Sequence, residues 1–76
     1  MVTLDKIYLD EKVKVVSISD NLLIKRRLLD IGIIPGIDIQ KVLISPFRGM
    51  SAYQVMDAII AIRDSDAKGI EVCYGK

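Results

Sequence analysis

Seventy-six residues, with eleven Lys and Arg against ten Asp and Glu and a net charge of +1, describe one small domain with no electrostatic reason to bind nucleic acid. The lone Cys73 cannot form an internal disulfide, and without histidine the usual zinc constellations and most nucleophile–base pairs are excluded. Hydrophobic residues still make up 51% of the chain, more than so small a core can bury, so exposed apolar surface and contact with a protein partner or a second copy are expected.

In chain order, Thr3-Leu4-Asp5-Lys6 leads into Ile7-Tyr8-Leu9, and Asp10-Glu11-Lys12 separates these from the first clear strand, Val13 to Ile18. There Val13 and Val15 alternate with Lys14 and Val16, so one face is apolar at the start and the other near the end. Ser19-Asp20-Asn21 offers helix-capping residues, with Asp20 or Asn21 expected to cap a helix of about three turns over Leu22 to Ile31. At about 100° per residue, Ile24, Leu28 and Ile31 fall on one narrow arc that should face a core. Leu23, Arg26 and Arg27 lie on the opposite face.

Gly32 follows the last periodic residue, where a left-handed conformation ends a helix at little cost to glycine. Pro35 then fixes φ at the first central position of a turn and Gly36 supplies positive φ at the second, a type II signature. Ile37 to Ile44 begins with alternation and ends in Val42-Leu43-Ile44, a run expected to be buried on both faces or covered. Ser45-Pro46-Phe47-Arg48-Gly49 reads as a loop, and Ala52 to Met56 and Ala58 to Arg63 as short strands joined at Asp57. Ser65 to Gly69 can form one helical turn before a last strand from Ile70 to Tyr74. Five to six short strands with one inserted α-helix predict a mostly β, partly open small β-barrel spanning residues 1–76 as a single domain.

The ten carboxylates are scattered at turns and exposed strand faces, so neither an acid–base pair nor any catalytic residue is expected, and the chain reads as a non-enzyme. Asp64 and Asp66 are the nearest acidic pair, but as turn residues they need no metal, and no metal site or cofactor is expected. Cys73 reads as a small inert side chain. The candidate contacts are with a partner. Leu23, exposed among Arg26, Arg27 and Asp30, has the character of an interface anchor. Phe47 and Met50, read as lying in the Pro-Gly loop, form a second apolar candidate. The N-terminus has no basic leader, and no apolar run approaches the ~18–20 residues a bilayer requires, so the chain is expected to be neither secreted nor membrane-spanning.

Two blocks resemble a known family. Arg27-Leu28 followed by Ile31-Gly32-Ile33-Ile34-Pro35-Gly36 resembles the R-L-x-x-L-G-[hydrophobic]-x-P-G signature of FeoA, the small cytosolic accessory protein of bacterial ferrous-iron uptake. Ile60-Ala61-Ile62-Arg63, followed by Ala67 and a final strand, is similar to that family's second block. Where the family commonly has Gly, in the first loop and before the second block, this chain has Asp10-Glu11-Lys12 and Asp57. The resemblance implies an SH3-like barrel in which Gly32, Pro35 and Gly36 are the structural motif, with a weak association with transition metals. It also implies a cytoplasmic module acting on the cytosolic GTPase domain of a ferrous-iron transporter, and so peripheral to the membrane through that partner only. The alternative is a relative of the SH3-like C-terminal domain of iron-dependent repressors, although no helix-turn-helix is legible. A nucleic-acid-binding barrel would need stacking aromatics on a basic face, which three Tyr and one Phe in a nearly neutral chain do not supply.

Overall fold

In the computed structural model, which describes residues 2–21, 23–46 and 49–74, six antiparallel strands form one sheet in the order β1-β6-β2-β3-β4-β5. These are β1 (Val2–Thr3), β2 (Lys12–Ile18), β3 (Asp38–Ile44), β4 (Met50–Val55), β5 (Ala58–Arg63) and β6 (Ile70–Cys73). Helix α1 (Lys25–Asp30) joins β2 to β3, and α2 (Asp64–Ala67) joins β5 to β6. The fold is the expected mostly β, open sheet, with Leu4, Val13, Val15, Leu28, Ile33, Ile39, Tyr53, Ile62, Ile70 and Val72 in its buried core. Val2–Thr3 and a 3-10 turn at Leu4–Lys6 were not foreseen; the strand pairs with β6 and the turn delivers Leu4 to the core.

Two register shifts decide which residues face inward. In β2 the pairing with β6 passes from Val15–Val72 to Ser17–Glu71, leaving Val16 without a partner. That bulge lets Val13, Val15 and Ile18 all turn inward, where the alternation alone puts Ile18 on the face opposite Val13 and Val15. In β3 the shift lies between Lys41 and Leu43, so Ile39 and Lys41 point inward while Leu43, paired with Ala52, points out. The expectation that Val42-Leu43-Ile44 would be covered is therefore corrected. Leu43 and Ile44 are exposed because the bulge reverses the alternation on which that reading rested.

The β4–β5 hairpin is paired without interruption from Met50–Arg63 to Val55–Ala58. Met50 thus begins a strand and is not part of the loop before it. In the two-residue connection Met56, not Asp57, takes positive φ, at 53°. Asp10, in the other place where a Gly was expected, has φ of 71°.

Helix α1 has six residues, shorter than predicted. Its N-cap is Ile24, with no side-chain hydrogen bond, so neither Asp20 nor Asn21 caps it. The polar triplet is used locally instead: Ser19 Oγ accepts from the Asn21 N–H, and Lys25 Nζ donates to Asp20 Oδ1. The other end closes as a Schellman motif, Gly32 N–H donating to Leu29 O at 3.1 Å and Ile33 N–H to Leu28 O at 2.9 Å, with Gly32 at φ 103°. Leu28 and Ile33 are both buried, supplying the apolar contact that accompanies this cap. The turn that follows is of the expected kind, with Ile37 N–H donating to Ile34 O at 3.3 Å across Pro35-Gly36 and Gly36 at φ 98°. Gly36 N–H also donates to Val15 O at 2.8 Å, which ties the turn to β2.

Candidate functional site

Because α1 is held at its C-terminal end and anchored through Leu28, it stands across an open groove from β5. The groove, about 510 Å³, has Ile24, Arg27 and Ile31 on the α1 side, Ile59 to Arg63 and Met50 on the sheet side, and Asp66 at one end. Leu28 and Ile62 close its floor. Ile59 is 65% exposed and Ile31 43%, so the walls offer apolar side chains to solvent. Arg27 and Arg63 are exposed, and neither forms an ion pair among the described residues.

Of the residues predicted as contacts, the groove brings together Arg27 and Met50. Leu23 is 99% exposed, as expected for its side of the helix, but it lies in the turn before α1 and outside the groove; Arg26 is exposed and also outside it. Phe47 lies outside the described residues. Ile31 is a correction. Expected in the core with Ile24 and Leu28, it is the C-cap residue, at φ −90° and ψ 3°, where the helical wheel no longer sets its direction. In this stretch Ile24 and Leu29 are partly buried and pack against the core that contains Leu28. Ile59 was missed, although its signal lies in Ala58-Ile59-Ile60-Ala61-Ile62, where apolar residues occupy both faces of a strand that is the sheet's edge.

A second polar arrangement lies in the core. Lys41 is buried; its Nζ donates to Ile7 O at 2.8 Å and sits 5.7 Å from the centre of the Tyr53 ring. Tyr53 Oη, also buried, has no hydrogen-bond partner among the described residues. Burial first, and then the Asp64 carboxylate, push the Tyr53 phenol up to about 12, against a weaker pull from the Ser51 hydroxyl. At the surface Asp38 is held below the usual carboxylate range by Lys14, 3.0 Å away, and Asp20 likewise by Lys25. Tyr74 is raised by desolvation and by donating its hydroxyl hydrogen to Glu11 Oε1 at 3.1 Å.

These groups do not converge on a reacting centre. Among the described residues no three His, Cys, Asp or Glu side chains come together to hold a metal ion, and Cys73 is an exposed free thiol. The donors among the described residues therefore do not form an iron site by themselves. No helix among the described residues is long and apolar enough to cross a membrane.

The family model described as the FeoA domain matches residues 2–73. The chain belongs to the FeoA domain family. Among solved structures, this FeoA domain is similar to the Stenotrophomonas maltophilia FeoA complexed with zinc, at 30% identity and a TM-score of 0.81 over 95% of this chain and 89% of that one. That protein is described as an SH3 domain protein and put forward as a ferrous-iron-transport activating factor. The solution structure of the Chlorobium tepidum FeoA protein superposes with a TM-score of 0.89 at 20% identity, covering 99% of this chain and 71% of that one. A manganese-dependent transcriptional repressor shares the fold at 22% identity and a TM-score of 0.84, with 97% of this chain matched to 41% of its length. The last two likenesses show fold alone. No match was found among curated proteins.

Proposed function

We propose that this FeoA domain is a non-enzymatic accessory module of bacterial ferrous-iron transport that binds the cytosolic GTPase region of the membrane transporter through the groove between α1 and β5. The observation that carries the reading is the groove itself, with exposed Ile31, Ile59 and Met50 flanked by Arg27 and Arg63, neither of which forms an ion pair among the described residues. Aliphatic anchors beside arginine are typical of the centre of a protein interface. A repressor-like role in reading DNA has less support, because α1 has six residues and α2 four, too short to lie along a major groove.

Titration of the transporter's purified cytosolic region with the parent and with Ile31→Asp/Arg27→Glu tests this. Arg27, in α1, and Ile31, its C-cap residue, are both exposed, so circular dichroism of the variant should match the parent. Losing an apolar anchor and reversing a rim charge should weaken binding at least about tenfold. Equal affinity of a folded variant would move the contact away from α1, and no binding by the parent would remove the reading.

A further inference from the structure

The sheet ends on β5, a six-residue edge strand with six regular pairs to β4 and no bulge to turn it aside. Proteins commonly protect such an edge with proline, lysine, a bulge or a covering helix. Here the strand is Ala58-Ile59-Ile60-Ala61-Ile62-Arg63, and α1 stands off across the groove instead of covering it. Ala58, Ile59 and Ala61 are exposed.

The charges at the ends of this edge are opposite in sign and evenly placed about its middle. Asp57 lies three residues before Ile60 and Arg63 three after it, both exposed and neither in an ion pair among the described residues. We propose that two copies of this chain associate antiparallel, β5 against β5, about a two-fold axis beside Ile60. In that register Ile60 meets Ile60, Ile59 meets Ala61, and Asp57 of each copy meets Arg63 of the other. Because 59, 61 and 63 share one face of the strand and Asp57 precedes it directly in the turn, no strand residue changes side, and the two sheets run on as one of twelve strands. Asp64 falls beyond the paired stretch, in α2, where it is opposite uncharged Met56. A one-residue slip would instead set Asp57 against Asp64 in one direction or against uncharged Ile62 in the other, losing both attractive pairs either way, so the charges select the register as well as the partner. The occupant of the edge is thus a second copy, because this strand is complementary in charge to itself.

Sedimentation equilibrium of the full chain over roughly 0.01–1 mM, a range suited to an association of this size, tests the proposal. The parent should show a concentration-dependent monomer–dimer equilibrium. Arg63→Asp should raise its dissociation constant about tenfold or more, since both attractive pairs become repulsive. Asp57→Arg should do the same. The charge-swapped double variant, Asp57→Arg with Arg63→Asp, should return to within about threefold of the parent, which a purely structural role for either residue would not produce. Ile59→Lys, on the same edge with both charges intact, should abolish the dimer even if a charge variant folds poorly. A parent that is monomeric throughout overturns the proposal. So does a dimer indifferent to these variants, or a folded double variant that remains as weak as the singles.

Discussion

At the scale of single residues, backbone conformation separates positions that look alike in the sequence. Gly36 has φ of 98°, and a Cβ built there meets nothing within 4 Å, so a substitution is opposed by backbone strain alone and not by a clash. Gly36→Val should therefore lower stability by about 1–3 kcal/mol in urea unfolding without opening the core. A variant that melts with the parent would show that the turn can adopt another form. Met56 is the converse case. It holds φ of 53° in the β4–β5 connection, is 70% exposed, and has a side chain with no evident packing role to offset that conformation. Met56→Gly exchanges left-handed strain of roughly 1–2 kcal/mol for the extra unfolded-state freedom of glycine, and should raise stability by about 0.5 kcal/mol. Asp10, at φ 71°, should gain less from the same change, because Asp tolerates this region better than Met.

At the scale of elements, the chain's punctuation was legible and its bulges were not. Gly32, Pro35 and Gly36 act within a few residues of themselves, so their roles as helix stop and turn could be read directly. The length of α1 depended instead on whether Ser19-Asp20-Asn21 would cap a helix or form its own turn, and the hydrogen bond from the Asn21 N–H to Ser19 Oγ settled that competition. The bulges at Val16 and between Lys41 and Leu43 depend on which strands pair, which no local pattern carries. The bulge in β3 concealed both the buried Lys41 and the exposed Leu43. Half of the candidate groove was hidden for a similar reason: Arg27 could be placed on the outer helix face, but Ile31 followed the wheel into the core and Ile59 was lost in an all-apolar strand. Leu28 and Ile31 now separate the two readings. Leu28, 2% exposed and part of the Schellman contact with Ile33, should cost about 2–5 kcal/mol as Leu28→Ala. Ile31→Ala, at a position 43% exposed, should cost under about 1 kcal/mol. Similar losses in thermal unfolding would restore Ile31 to the core.

For the molecule as a whole, the barrel places Tyr53 where it couples folding to alkaline pH. The ring lies at the centre of the core beside the buried Lys41 amine, and its hydroxyl is without a hydrogen-bond partner among the described residues. In the folded chain the phenol titrates at about 12, against about 10 for an exposed tyrosine. Below about pH 10 both folded and unfolded chains keep the proton, and the contribution of burying a neutral phenol is fully present. Between about pH 10 and 12 the unfolded chain releases the proton while the folded chain retains it, so stability falls as pH rises. Tyr74, raised by desolvation and by Glu11, acts in the same direction at the surface, so the parent alone cannot isolate the core residue. Comparison with Tyr53→Phe does, because Tyr74 and the lysines are common to both chains. At pH 7 the variant should be at least as stable as the parent, since it removes a buried hydroxyl that has no hydrogen-bond partner of normal geometry among the described residues and keeps the ring beneath Lys41. Over pH 9–12 its urea midpoint should fall less steeply, the difference between the two chains opening above about pH 10. Parallel profiles across that range, or a large loss at pH 7, would mean that Tyr53 Oη has a partner in solution and that its proton is not linked to folding in this way.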